Sequence, residues 1–366
     1  MTSTSDRDAS IESFLADAGL ADAAREPLPG DASTRRYIRL RPSGAAPLIL
    51  MDQPPSAESA VAPPGATREE RAALGYNASA RLAGGRVDAF VATAGWLRAR
   101  GLSAPEVVAH NADAGLAVLE DLGDDLFVRR IAAGGDEIEL YAAAVDALVR
   151  LHAEPPPVVI EADGVRWPLH AYDRLAFDAG LDPFLEWWPR FAGTPPPPPE
   201  AADDWARLWG PVKRLGEEGA EAFAHRDYHA ENLLWLPERE GVARVGMIDF
   251  QDAVAAHPAW DLLHLLQDAR RDVPQALETA MLDRYLAARP ELDRQRFLRD
   301  YFALAAANAA RILGRVFARQ EALFNRGKYR AFMPRTWRHL ERDLQHAELT
   351  ELAAWFDRWV PRETRP

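Results

Sequence analysis

The sequence predicts an α+β chain in two lobes: a small β-rich N-terminal lobe over residues 1–122 and a larger, mostly helical lobe over residues 123–366. Three observations predict this. The 366 residues exceed what one hydrophobic core usually serves. Four β-like runs crowd together ahead of Glu120-Asp121-Leu122-Gly123. Beyond that point helical periodicity dominates.

In chain order, Ile11 to Leu20 reads as a short amphipathic helix. Gly30-Asp31-Ala32-Ser33-Thr34 supplies turn residues. Tyr37-Ile38-Arg39-Leu40 and Leu48-Ile49-Leu50-Met51 are β-like and separated by Pro42, Ser43 and Gly44. Gln53 to Gly85, rich in Pro, Ala and Gly with weak periodicity, reads as an irregular insertion. Val87 to Arg100 puts Val87, Phe90, Val91, Ala94 and Leu97 on one helical face, and Gly101 closes it as a cap. Pro105 to Ala109 and Leu116 to Glu120 are short strands around Asn111-Ala112-Asp113-Ala114-Gly115. Glu137 to His152 is a helix, Pro195 to Pro199 a polyproline spacer, and Leu277 to Phe324 mostly helical.

Bulk properties narrow the function. A net charge of -13 argues against a broad nucleic-acid surface, which needs basic excess. Without cysteine there is no disulfide, thiolate metal site or cysteine nucleophile. Met1 to Ser10 is polar with no apolar signal core, and no apolar run is long enough to span a bilayer. These features fit a soluble cytoplasmic protein with neither nucleic acid nor membrane as partner.

The chemistry concentrates in His225-Arg226-Asp227-Tyr228-His229-Ala230-Glu231-Asn232, a hairpin pattern from Leu233 to Ile248, and Asp249-Phe250-Gln251-Asp252. A hairpin returns its second strand to where the first began, so Asn232 and Asp249 meet at its open end, with Asp227 on the loop just before. One amide oxygen and carboxylates converging there suit phosphoryl transfer, which needs an acceptor oxygen in line and charge stabilisation on the phosphates. Asp227 would accept the acceptor hydroxyl's proton, and Asn232 and Asp249 would bind Mg2+ through hard oxygens. His225 reads as a packed loop anchor. The bland alternative is that Asp227, Asn232 and Asp249 only cap turns.

This block resembles the catalytic and metal loops of the aminoglycoside phosphotransferase and choline kinase superfamily. The resemblance implies a bilobal protein-kinase-like fold, with ATP and Mg2+ as cofactors. Trp260-Asp261-Leu262 is similar to the superfamily's helix start, where an aspartate braces the catalytic loop. Leu119-Glu120-Asp121-Leu122-Gly123 is similar to its hinge, where backbone groups at Glu120 and Leu122 would meet adenine. A narrower resemblance covers Gly30 to Tyr37, Met51-Asp52-Gln53-Pro54-Pro55, Ile248 to Ala253 and Arg311 to Arg319. It is to the bacterial cell-wall sugar kinases, which phosphorylate the anomeric hydroxyl of N-acetylmuramate and N-acetylglucosamine in peptidoglycan recycling.

One departure stands out. Only Lys213 and Lys328 occur, so the usual third-strand lysine is absent and Met51 stands in its place; the following helix also lacks glutamate. Arg35 and Arg36, beside the Ser33-Thr34 turn that would cover the phosphates, are the candidate replacements. Glu186, Trp187, Asn308 and Arg311 are candidate contacts for a small-molecule sugar. Competing readings are a kinase for an aminoglycoside, choline or homoserine, and a nucleotide-binding pseudokinase. No concentrated acidic run favours a cationic antibiotic, and the three intact site residues speak against a pseudokinase.

Overall fold

The computed structural model describes residues 4–29, 35–54 and 60–366. The expected Gly30–Thr34 turn, with Ser33 and Thr34, lies outside them. The chain opens with helix α1 (Thr4–Asp17), followed by strands β1 (Ala24–Pro27), β2 (Arg36–Arg41) and β3 (Leu48–Asp52). Helices α2 (Arg68–Leu74), α3 (Tyr76–Ser79) and α4 (Val87–Arg98) come next, then β4 (Val107–Asn111) and β5 (Leu116–Glu120). The five strands form one antiparallel sheet in the order β1-β2-β3-β5-β4.

Strand alternation sends side chains to both faces of this sheet. Leu50, Leu116 and Val118 join Ile11, Phe14 and Leu15 of α1 in a small outer core. Met51, Ala117 and Leu119 instead join Val87, Phe90 and Val91 of α4 in the core that continues into the rest of the molecule.

Beyond the sheet come α5 (Phe127–Ala132), α6 (Glu137–Leu151), hairpin β6 (Val159–Ala162) and β7 (Val165–Pro168), α7 (Arg174–Leu181), α8 (Phe184–Ala192) and α9 (Pro199–Glu218). Four three-residue strands follow: β8 (Ala222–Ala224), β9 (Leu233–Trp235), β10 (Val245–Met247) and β11 (Val254–Ala256). The chain then runs through α10 (Ala259–Leu266), α11 (Gln275–Ala288), α12 (Arg294–Arg311), a π-helix (Ile312–Ala318), α13 (Arg319–Phe324), α14 (Met333–Asp343) and α15 (Thr350–Trp359). Gly314 lets the π-helix lie against α8: a Cβ there would come within 2.4 Å of Phe184 Cα. No helix among the described residues is long and apolar enough to cross a membrane.

The architecture is the expected α+β arrangement, a small sheet followed by a mostly helical remainder, with differences in detail. Helix α1 starts well before Ile11 and stops at Asp17, because its first turns are polar and carry no apolar period. The chain then turns through Gly19 at φ +71°, and Leu20 N–H reaches back to Leu15 O. The segment read as an irregular insertion is a correction: it contains α2 and α3. Thr67 and Glu70 form a reciprocal capping box at the start of α2. Arg71 is buried, donating to Ala78 O and Ser79 O and pairing with Asp173. Residues 242–244, expected in a strand, belong to a 3₁₀ turn, Gly241–Arg244. The proline run ends as the start of α9, where proline's fixed φ suits the first helical position.

Candidate active site

Two miniature sheets build the site. β8 pairs with β11 and β9 with β10, all antiparallel. The chain therefore leaves β8 into loop 225–232, runs through the β9–β10 hairpin, and returns by loop 248–253 into β11. The register sets Leu233 opposite Met247 and Ala224 opposite Val254, so the two loops start and end side by side. Ile248 N–H donates to Asn232 O at 3.1 Å, which closes the hairpin's open end beside Asp249.

The first loop is held by its own backbone. His229 N–H donates to Asp227 O at 3.1 Å, and Asn232 Nδ2 donates to the same oxygen at 2.9 Å. Asn232 Oδ1 takes no part in these bonds. Asp261, buried at the start of α10, accepts from His225 N–H at 2.6 Å and from Arg226 N–H at 2.9 Å, one on each carboxylate oxygen. Burial pushes the Asp261 carboxyl up, and these two donors pull it back. The His225 ring packs edge-on against Tyr228 and Phe250, and burial holds its imidazole below the usual range. Phe250 in turn stacks on Phe90 of α4 at 4.8 Å, which couples the second loop to the N-terminal region.

Replacing Asp261 by Asn sets an amide NH2 against one of two backbone donors. We expect a loss of about 1–3 kcal/mol in denaturant-measured stability. Phosphoryl transfer should fall with it, because Asp227 sits next to the donors released.

Arg226 (φ +82°) and Asp249 (φ +65°) are non-glycine residues in left-handed conformation. Such strain persists where surrounding contacts over-determine it and concentrates at functional sites. Asp249 is half-exposed; its Oδ1 accepts from Gln251 Nε2 at 2.9 Å and from Arg35 at 3.3 Å. Asn232 Oδ1 and the Asp249 carboxylate could hold a magnesium ion. An ion of that kind commonly takes one or two protein oxygens and completes its shell with water and substrate phosphates.

The two arginine candidates separate cleanly. Arg35 is nearly buried and donates to Gln53 Oε1 at 3.0 Å, Tyr37 OH at 3.2 Å and Asp249 Oδ1 at 3.3 Å. Burial opposes its charge, but Tyr37, Asp249 and Asp252 outweigh that and hold it above the ordinary arginine range. Arg36 points the other way. It pairs with fully buried Asp52, which Arg7 of α1 also grips. Met51, which stands in place of the usual lysine, is core.

The remaining candidates divide. At the expected hinge, the Glu120 carboxylate is taken by Arg239 at 2.5 Å and Glu106 N–H at 3.2 Å, and the Leu122 side chain lies against Gly246. Asn308 is buried, with Oδ1 meeting Arg311 at 2.8 and 3.0 Å and His264 Nε2 at 3.2 Å. Glu186 pairs with Arg190 on the exposed side of α8, and Trp187 lies under Arg190 and Arg319. Among the described residues, none of these α8 contacts reaches the two loops.

Sequence reasoning missed several participants. Arg226 NH1 donates to Arg81 O, and its guanidinium lies 5.3 Å from the Tyr172 ring centre. Asp252 Oδ1 accepts from Ala83 N–H at 2.6 Å, which fastens the 68–85 segment to the second loop. The Thr67–Glu70 capping box was the one local signal that this segment is ordered.

Comparison with known proteins shows the family. The model of the phosphotransferase enzyme family matches residues 24–298. This chain belongs to that family. It is accordingly a phosphotransferase, and it is 57% identical to a Caulobacter vibrioides protein named N-acetylmuramate/N-acetylglucosamine kinase, with 100% of both chains covered. A Pseudomonas aeruginosa protein of the same name is 28% identical over 90% of this chain and 87% of its own. A crystal structure of a choline/ethanolamine kinase family protein from Mesorhizobium loti is alike in fold. It has 17% identity and a TM-score of 0.54, with 96% of this chain and 98% of that chain covered.

Proposed function

We propose that this phosphotransferase moves the γ-phosphoryl group of ATP onto the anomeric hydroxyl of N-acetylmuramate and N-acetylglucosamine. Full-length 57% identity to the Caulobacter protein of that name carries the reading. The placement of Asp227, Asn232 and Asp249 on neighbouring loops supports it.

In this reading the sugar hydroxyl oxygen attacks the γ-phosphorus, and the bond to the β,γ-bridging oxygen breaks. ADP leaves, and the hydroxyl proton passes to the Asp227 carboxylate. An anomeric hydroxyl is more acidic than other sugar hydroxyls, so a carboxylate base suffices. Arg35 meets phosphate oxygens with its fork of donors in place of the absent lysine. Asn232 and Asp249 would hold Mg2+, which would supply charge neutralisation on the phosphates when bound. Asp261 and His225 keep the Asp227 loop in position, and backbone groups at Glu120 and Leu122 receive adenine.

The test is phosphate transfer by the purified full-length protein with ATP, Mg2+ and either sugar, with kanamycin and choline as controls. Sugar 1-phosphate is the expected product. Phosphate on the 6-hydroxyl, or turnover only with a control acceptor, would refute the acceptor assignment. ATP binding without any turnover would favour a pseudokinase.

A further inference from the structure

Helix α12 does not end at Arg311. It runs on through the π-helix into α13, and this continuous rod carries Arg311, Arg315 and Arg319 at four-residue intervals. A π-helical stretch inside a helix is uncommon and frequent at functional sites. These arginines differ from most in the molecule. Among the described residues, none of the three makes an ion pair with a carboxylate, whereas Arg71 and Arg81 nearby are both answered by Asp173. Arg226 makes none either, although its charge bears on buried Asp252.

What they touch instead is neutral. Arg311 donates to the Asn308 amide oxygen. The Arg315 guanidinium lies 3.9 Å from the Tyr76 ring centre, and that of Arg226 lies 5.3 Å from the Tyr172 ring centre. Gly180 marks where two of these elements meet: a Cβ there would sit 3.0 Å from Arg311 Cδ and 3.4 Å from Tyr172 OH. The charges of Arg311 and Arg226 both bear on the buried Tyr172 hydroxyl, as does Tyr76. The row Arg226, Arg311, Arg315 thus leads from the residue beside Asp227, along Tyr172, to Tyr76 on α3.

Half-buried positive charge without a counter-charge is costly, and an incoming anion relieves it. Arg315 shows the effect: burial and the neighbouring charges of Arg319 and Arg311 pull it below the usual arginine range, against the opposing pull of Tyr76. His264, on the far side of Asn308, offers no negative charge, and burial keeps it neutral.

We propose that Arg311 and Arg315 form an anion subsite of the acceptor site, which takes the carboxylate of an acidic sugar. This rests on the acceptor reading above and assigns a division of labour within it. N-acetylmuramate carries a lactyl carboxylate that N-acetylglucosamine lacks, so only the former uses the subsite. Tyr76 makes the 68–85 segment one wall of it.

The experiment measures kcat/KM for both sugars, and for the methyl ester of N-acetylmuramate, with the full-length wild type, Arg315→Gln and Arg311→Gln. Each substitution is expected to lower the ratio of N-acetylmuramate to N-acetylglucosamine kcat/KM about tenfold or more, mainly through KM, as a charge-assisted hydrogen bond is lost. The ester deletes the charge from the ligand instead. With wild type it should lose a similar factor, and Arg315→Gln should cost it little more. The ester arm needs no variant, so it decides the matter even if a substitution prevents folding. Equal losses on both sugars, or an ester as good as the acid, would overturn the subsite. A wild type inert toward both sugars would instead overturn the acceptor reading and remove the subsite's ligand with it.

Discussion

Asp227→Asn is expected to lower kcat about 10³-fold, within the range a positioned general base contributes, while the KM for ATP changes little. The swap is isosteric and leaves the loop intact. Asp227 is tied down by its backbone oxygen, which accepts from His229 N–H and Asn232 Nδ2, and by Asp261 gripping the two preceding amides. None of those bonds uses the Asp227 side chain. The substitution therefore removes the proton acceptor without moving the site. A coupled assay for ADP release reads the effect, and circular dichroism confirms that the fold survives. Residual activity above a tenth of wild type would mean that Asp227 does not take the proton.

Arg35→Ala is expected to raise the KM for ATP and lower kcat, with kcat/KM for ATP down about 10²-fold, as when one pre-organised donor to a developing charge is removed. Arg35→Lys should recover only a fraction of this. A lysine ammonium restores the charge but cannot reach Gln53, Tyr37 and Asp249 as the guanidinium fork does. Arg36→Ala is the control. Arg36 shares Asp52 with Arg7 on the far side of the strand, so its loss should touch stability more than nucleotide use. Equal nucleotide defects in the two alanine variants would remove the distinction between them.

The placement of the two loops was readable because it is local. Asp227 and Asn232 are five positions apart on one loop, and a hairpin of apolar residues brings Asn232 and Asp249 to its open end, where Ile248 N–H donates to Asn232 O. The choice between Arg35 and Arg36 was not readable. Adjacent strand residues face opposite ways, and which face meets Asp249 depends on how the sheet sits over the second loop. The 68–85 segment was misread because its order comes from distant partners: Asp173 for Arg71, Asp252 for Ala83 and Arg315 for Tyr76. Its helices are too short to show a period. Strand β1 went unseen for a related reason: all four residues are exposed, so no apolar alternation marks it. Arg311, Arg315 and Arg319 stand within the stretch that resembles the cell-wall sugar kinases, but their lack of ion-paired carboxylates is a property of the folded neighbourhood alone.

In the proposed reading Arg35 meets the nucleotide in place of the absent lysine, and that changes how this enzyme would be labelled. Reagents that deliver an acyl group from a nucleotide phosphate need a nearby amine, and neither lysine offers one there. Lys213 is buried between Asp178 and Asp182, and Lys328 is exposed in the turn that follows α13. Surveys of nucleotide-binding proteins that rely on such acylation would pass this enzyme by. Dicarbonyl reagents selective for guanidinium groups, applied with and without protecting ATP, are the chemistry suited to Arg35.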